Sequence, residues 1–233
     1  MQAWRATLAA AFIALAGSAL AEDRLVVIEL FTSQGCSSCP PADALLGELA
    51  QRDDVLPLSL HVDYWDYIGW KDIFADPAHT VRQKGYARVA GQRSIYTPQM
   101  IVGGADHVVG YKPMKLAMLI EEHRNAAAPV DVEVTRAGDE VEISTSATGR
   151  TDIGSAIIQI VRYIPSQTVD IRRGENRGRT LTYHNVVADL TEVAQWDGRG
   201  THAVRVRLSG DGSHAVLVQS ANYGVILGAA RVP

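Results

Sequence analysis

Apolar and polar positions follow two regimes along the chain. From Leu25 to Phe31 the residues (LVVIELF) are apolar on both faces except for Glu29, the pattern of a central parallel strand covered on both sides. Ala42, Leu45, Leu46 and Leu49 then recur at helical spacing and predict a helix from Cys36 to about Gln51. Pro40 and Pro41 fit its first turn, where a missing N–H costs nothing. Val55 to Val62 reads as a second strand. A weakly periodic helix follows from Asp76-Pro77 to about Ala90. A short apolar strand after Pro98 turns at Gly103-Gly104 and returns over His107 to Gly110 as a hairpin. Leu116, Leu119, Ile120 and His123 mark a helix from about Pro113 to Ala126. Past Ala127-Ala128-Pro129 helical periods disappear. Val130 to Thr135, Val141 to Ala147, Ala156 to Ile164, Ala203 to Leu208 and Ala215 to Ala221 are short alternating runs with Gly, Asp and Asn at the turns. This half predicts an all-β, sandwich-like domain over residues 129–233, joined by a short linker.

Composition adds limits rather than identity. The chain has 233 residues, 47% hydrophobic and 21% charged, enough for a real core without staples. Its net charge of −4 and the lack of a dense basic run argue against nucleic acid as a partner. Met1 to Ala21 reads as a signal peptide. Arg5 supplies the positive region, Ala6 to Ala16 is apolar but short for a membrane span, and Ser18-Ala19-Leu20-Ala21 has small residues at the cleavage positions. The expectation is a periplasmic or secreted protein with no membrane span after cleavage, in a compartment where disulfides persist.

That compartment gives weight to Cys36-Ser37-Ser38-Cys39, which holds the chain's 2 cysteines. Two thiols separated by two residues, between a buried strand and a helix start, can close into a disulfide, and the helix N-terminus favours a thiolate. Zinc ribbons share the spacing but need a second pair. Glu29 is the odd residue on its strand. It reads either as a proton partner for the buried sulfur or as a carboxylate paired with a basic side chain. Thr97-Pro98, before the hairpin, is a candidate cis peptide. Asp63 to Asp72 (DYWDYIGWKD) is an aromatic and acidic loop that reads as cleft lining or as plain packing. Arg172, Arg173, Arg177 and Arg179 crowd one glycine-containing loop, either an anion site or a solvated hairpin tip. No catalytic constellation, phosphate loop or repeat appears in the second half, and no cofactor and no resident metal are expected.

The order strand, CxxC helix, strand, helix, X-Pro turn, strand, strand, helix is a thioredoxin-like arrangement. Phe31 to Pro41, His61 to Asp72 (HVDYWDYIGWKD), Tyr96 to Val102 (YTPQMIV) and Arg173 to Val187 (RGENRGRTLTYHNVV) resemble a secreted bacterial thioredoxin-like family catalogued as domain of unknown function twelve-twenty-three. The resemblance covers essentially the whole chain after residue 21. It implies an α/β thioredoxin-like N-terminal domain over 22–128 ahead of the β domain. It also implies catalytic roles for Cys36 as attacking and Cys39 as resolving thiol, with Glu29 as a buried acid and Thr97 and Pro98 binding an extended substrate. Ser37-Ser38 between the cysteines and Gly35 in place of the usual tryptophan depart from the wider superfamily. The function expected is a periplasmic thiol–disulfide oxidoreductase acting on a protein or small-molecule thiol or disulfide. The alternatives are a Cu(I)-binding, metallochaperone-like protein using the dithiol with His61 or His107, and a non-enzymatic envelope binding protein with a structural disulfide.

Overall fold

The structure is a computed structural model and describes residues 24–149 and 153–233. The expected signal peptide lies outside the described residues. No described helix is long and apolar enough to cross a membrane.

The first strands form where the apolar runs predict them. β1 (Val26–Thr32) and β2 (Val55–His61) are buried along their whole length and pair in parallel, Val26 beside Val55 through Thr32 beside His61. α1 (Pro40–Leu49) connects them, with Cys39 as its N-cap, so the helix starts four residues after Cys36, its expected opening. Asp76 caps α2 (Pro77–Val89) by accepting from the Ala78 N–H at 2.8 Å. β3 (Gln99–Val102) runs antiparallel to β1, and β4 (Asp106–Val109) completes the hairpin before α3 (Pro113–Asn125).

The expectation of a thioredoxin-like domain followed by a separate β-sandwich is overturned. The molecule is mostly β, with three α-helices among the described residues, and its main sheet continues through both halves of the chain. β7 (Ala156–Asp170), β8 (Thr180–Trp196), β10 (Ser213–Ser220) and β11 (Ile226–Arg231) join β1–β4 in one eight-stranded mixed sheet, in the order β11-β10-β7-β8-β2-β1-β3-β4. The junction is β8 alongside β2, where Ser59 pairs with Val186. Pro57 lies in β2, and its carbonyl accepts from the Asn185 side chain at 2.8 Å. A strand as apolar as β2 needs cover on both edges as well as both faces, and β8 supplies one of them. The remaining strands, β5 (Val130–Ala137), β6 (Glu140–Ala147) and β9 (Thr201–Arg207), form a three-stranded antiparallel sheet.

Side chains alternate across the main sheet, which creates two separate cores. Val26, Ile28 and Leu30 face α1 and α3 and pack with Ala42, Leu46, Leu116 and Ile120. Val27, Phe31, Leu58 and Leu60 face the other way and pack with Tyr86 of α2 and with Val161, Val187 and Leu217 from the second half. The three-stranded sheet covers its own stretch of β7 and β10, where Val141 and Ile143 meet Ile158, Val216 and Val218.

Candidate functional site

Cys36 and Cys39 are joined in a disulfide at the C-terminal end of β1. Two tight turns lead into α1: the Cys36 N–H donates to the Ser33 carbonyl at 3.1 Å and the Cys39 N–H to the Cys36 carbonyl at 3.2 Å. Ser37 and Ser38 are exposed, whereas both cysteines are 0% exposed. The Ser38 hydroxyl lies 3.4 Å from the Cys36 sulfur.

The aromatic and acidic loop holds this turn in place. Asp72 is buried and accepts the Gln34 N–H and the His61 imidazole on one oxygen, each at 2.7 Å, and the Phe74 N–H on the other at 2.9 Å. Burial alone would raise Asp72. The charge on His61, the imidazole hydrogen bond and the two backbone donors outweigh it and hold the carboxyl below its ordinary range. Trp70 donates to the Gln34 side-chain oxygen at 2.8 Å. A side chain at Gly35 would start 3.0 Å from Ile68 and 3.2 Å from Trp65, so that loop occupies the space a larger residue before Cys36 would need.

A third element reaches the turn from the other half of the chain. The tip of the β7–β8 hairpin places Asn176, 1% exposed, so that its amide donates to the carbonyls of Gln34 and Cys36, both at 2.9 Å. Beside it, the Glu175 carboxylate accepts the Ser37 N–H at 3.3 Å. Gly174, with φ +76°, brings the tip's backbone against Trp70, where a Cβ would lie 3.2 Å from the indole's own Cβ.

Beneath the disulfide lies a buried polar layer. Register places Thr32 beside His61 on the same face of the sheet, toward α1. Asp43 is one helical turn after Cys39 and donates its N–H to the Cys39 carbonyl at 3.1 Å, so the two side chains share a helix face. Both Asp43 carboxylate oxygens, Thr32 Oγ1, Ser59 Oγ, His61 Nε2 and the Tyr183 hydroxyl are buried without a hydrogen-bond partner. Burial raises the Asp43 carboxyl to about 7, against the lowering pull of His61 and of the nearby Thr32 hydroxyl, while Asp72 pushes it further up. Tyr183 is likewise raised by burial and by the charges of Asp43 and Asp72. The layer therefore holds a carboxyl able to gain and lose a proton near neutrality, one turn from Cys39.

The sequence-derived site residues separate into two groups. Cys36, Cys39, Thr97 and Pro98 lie at one end of the sheet. Gln99 pairs with Phe31, which puts the cis Thr97–Pro98 bond next to the start of the disulfide turn. The Thr97 hydroxyl accepts from the Trp65 indole at 2.7 Å. Glu29 is elsewhere: it faces α2, on the side of the sheet away from α1. There it forms a buried ion pair with Arg82 at 2.6 Å and accepts from the Tyr86 hydroxyl. Sequence reasoning missed Asp43 as a buried group, because a charge in a helix's first turn ordinarily faces water. It also missed Asn176, although the stretch containing it is one of those that carried the family resemblance.

His107 pairs with Gln99 at 3.1 Å. Among the described residues no group of three or more His, Cys, Asp and Glu is placed to hold a metal ion. A larger cleft of about 620 Å³ opens between Gln159, Trp196 and Tyr223. The residues lining it include none of those around the disulfide, so it offers no redox chemistry.

No curated protein matches the chain. Among solved structures, the crystal structure of protein AGR_C_4864 from Agrobacterium tumefaciens is 38% identical, with a TM-score of 0.78 over 91% of this chain and 96% of that one. Superoxide reductase from Nanoarchaeum equitans matches at 9% identity and a TM-score of 0.25 over 44% of this chain and 90% of that one, a likeness that carries no argument. The chain belongs to the family described as protein of unknown function (DUF1223), whose model matches residues 27–219.

Proposed function

We propose that the protein is a thiol–disulfide oxidoreductase that works through Cys36 and Cys39 in an oxidising compartment outside the cytoplasm. The observation that carries this reading is the buried Asp43 carboxyl, with no charged partner bonded to it and raised to about 7, one turn after Cys39 at the start of α1. A disulfide that only staples the turn needs no such group. In the reduced pair, the Cys36 thiolate attacks a substrate disulfide, forms a mixed disulfide and expels one substrate thiolate. Asp43 takes the proton from the Cys39 thiol. The Cys39 thiolate then attacks the Cys36 sulfur, re-forms the Cys36–Cys39 bond and expels the second substrate thiolate. Two electrons pass from the pair to the substrate, and the reverse sequence oxidises a substrate dithiol. Cys36→Ser is expected to abolish both insulin reduction and oxidative refolding, and Cys39→Ser to trap a mixed disulfide. Absence of activity in the unaltered protein together with absence of a trapped adduct would sink the proposal.

A second reading has one observation in its favour. Both cysteines are fully buried in the oxidised form, as in a fixed structural disulfide. Equilibration with glutathione buffers separates the two readings. A potential below about −300 mV, with no exchange, marks a structural bond, whereas a value within the range of known exchange proteins marks a working pair.

A further inference from the structure

The β7–β8 hairpin tip does more than cover the disulfide, because it carries the densest positive charge in the chain to that spot. Arg172, Arg173, Arg177 and Arg179 are exposed around the buried Asn176. Asn176 Oδ1 accepts from Arg179 at 3.1 Å, so the residue that grips the Cys36 carbonyl also orients a guanidinium. Among the described residues, the guanidiniums of Arg172, Arg173 and Arg177 make no hydrogen bond or ion pair. Glu175 is the carboxylate among them, and it is engaged by the Ser37 N–H. A solvated loop with internal ion pairs would spend its arginines on local carboxylates, and this one leaves three free in a chain of net charge −4.

Next to the tip is a groove of about 390 Å³ between the first turn of α1 and the start of β8, with Pro40, Asp43 and Ala44 on one wall and Arg179 and Thr182 on the other. It begins at the residue after Cys39. Its volume matches a small molecule, and Arg179 on its wall presents planar, bidentate donors suited to carboxylates.

We infer that the substrate of the Cys36–Cys39 pair is a small anionic thiol or disulfide, with its carboxylates held by the guanidiniums of the 172–179 tip beside the disulfide turn. The inference rests on the redox reading and names its substrate class. With R–S–S–R as oxidant, the reduced pair delivers two electrons. One R–S⁻ leaves as the Cys36 mixed disulfide forms, and the second leaves as Cys39 closes the pair. The two thiol protons end on two R–SH, so no further reactant is required.

Stopped-flow tryptophan fluorescence of the reduced protein tests this with three small disulfides. These are dianionic dithiodipropionate, neutral hydroxyethyl disulfide and dicationic cystamine, each rate divided by that of free dithiothreitol with the same disulfide to cancel leaving-group differences. The anionic compound is expected to outrun the neutral one by about tenfold at low salt, and the cationic one to fall below it. That preference should shrink in about 0.5 M salt and weaken in Arg172→Ala/Arg173→Ala/Arg177→Ala, which alters exposed side chains and keeps Arg179. Equal normalised rates, or a preference untouched by the triple substitution, overturn the substrate class while leaving the redox reading standing. No exchange with any of the three overturns both.

Discussion

Asp43 is the residue on which the proposed chemistry turns, and its titration has a definite sign. Its folded carboxyl is raised to about 7 from an ordinary 3.8 by burial. Between those values the folded protein therefore binds more protons than the unfolded chain, and stability from this group falls as pH rises. Above about pH 7 the cost is fully developed, on the order of a few kcal/mol. Asp43→Asn should remove this slope. Relative to the unaltered protein it should gain stability between about pH 4 and pH 7 and hold that gain above it, measured as the difference in urea midpoints across that range. The same substitution should also erase a rise near pH 7 in the rate at which Cys39 resolves a mixed disulfide. An unchanged pH profile of resolution would remove Asp43 from the mechanism, whatever its effect on stability. Glu29 offers a contrast. It too is a buried carboxylate, but Arg82 and Tyr86 pair both its oxygens, and it faces α2, on the side of the sheet away from Asp43.

The β7–β8 hairpin tip is the element that decides whether the disulfide is reachable. Asn176 ties it to the turn with two bonds to main-chain carbonyls, and a net hydrogen bond is worth about 1 kcal/mol. Asn176→Ala should therefore raise the open population by roughly tenfold or more, and reduction of the Cys36–Cys39 bond by dithiothreitol should accelerate accordingly. An unchanged rate would mean that something other than the tip shelters the sulfurs. The tip also shows what periodicity conveys and what it hides. β1, α1, β2 and the β3–β4 hairpin were legible because each has an uninterrupted strand or helix period with a turn signal at its end. β8 was not. Its 17 residues include Asn185 at φ 46°, and its pairing with β7 shifts register twice, so no single alternation runs along it. The disulfide could be read from spacing alone. The groups around it come from Asp43, Asp72 and Asn176, far apart in sequence, and only the folded sheet brings them together.

β8 also determines how the molecule holds together as one body. It pairs with β7 on one edge and lies beside β2 on the other, and the core that contains Phe31, Leu58 and Leu60 is completed by Val161, Val187 and Leu217. Cutting after residue 128 would expose the β2 edge, a row of unpaired backbone groups on an apolar strand. It would also strip six of the fourteen buried residues from that core and remove Tyr183 and Asn176 from the site. An isolated 24–128 fragment is therefore expected to show no cooperative unfolding transition and to aggregate. The whole chain is expected to unfold in a single step, with far-ultraviolet circular dichroism and tryptophan fluorescence giving coincident urea curves. The tryptophans make the comparison informative, because Trp65 and Trp70 report on the disulfide end and Trp196 on the cluster under the three-stranded sheet. Two separated transitions, or a fragment that unfolds cooperatively with its disulfide protected, would show that the shared sheet does not couple the halves. Coincident curves would mean that loss of the β-rich half also costs the disulfide turn its cover and the neighbouring arginines, so the cysteine pair and the β7–β8 tip stand or fall as one unit.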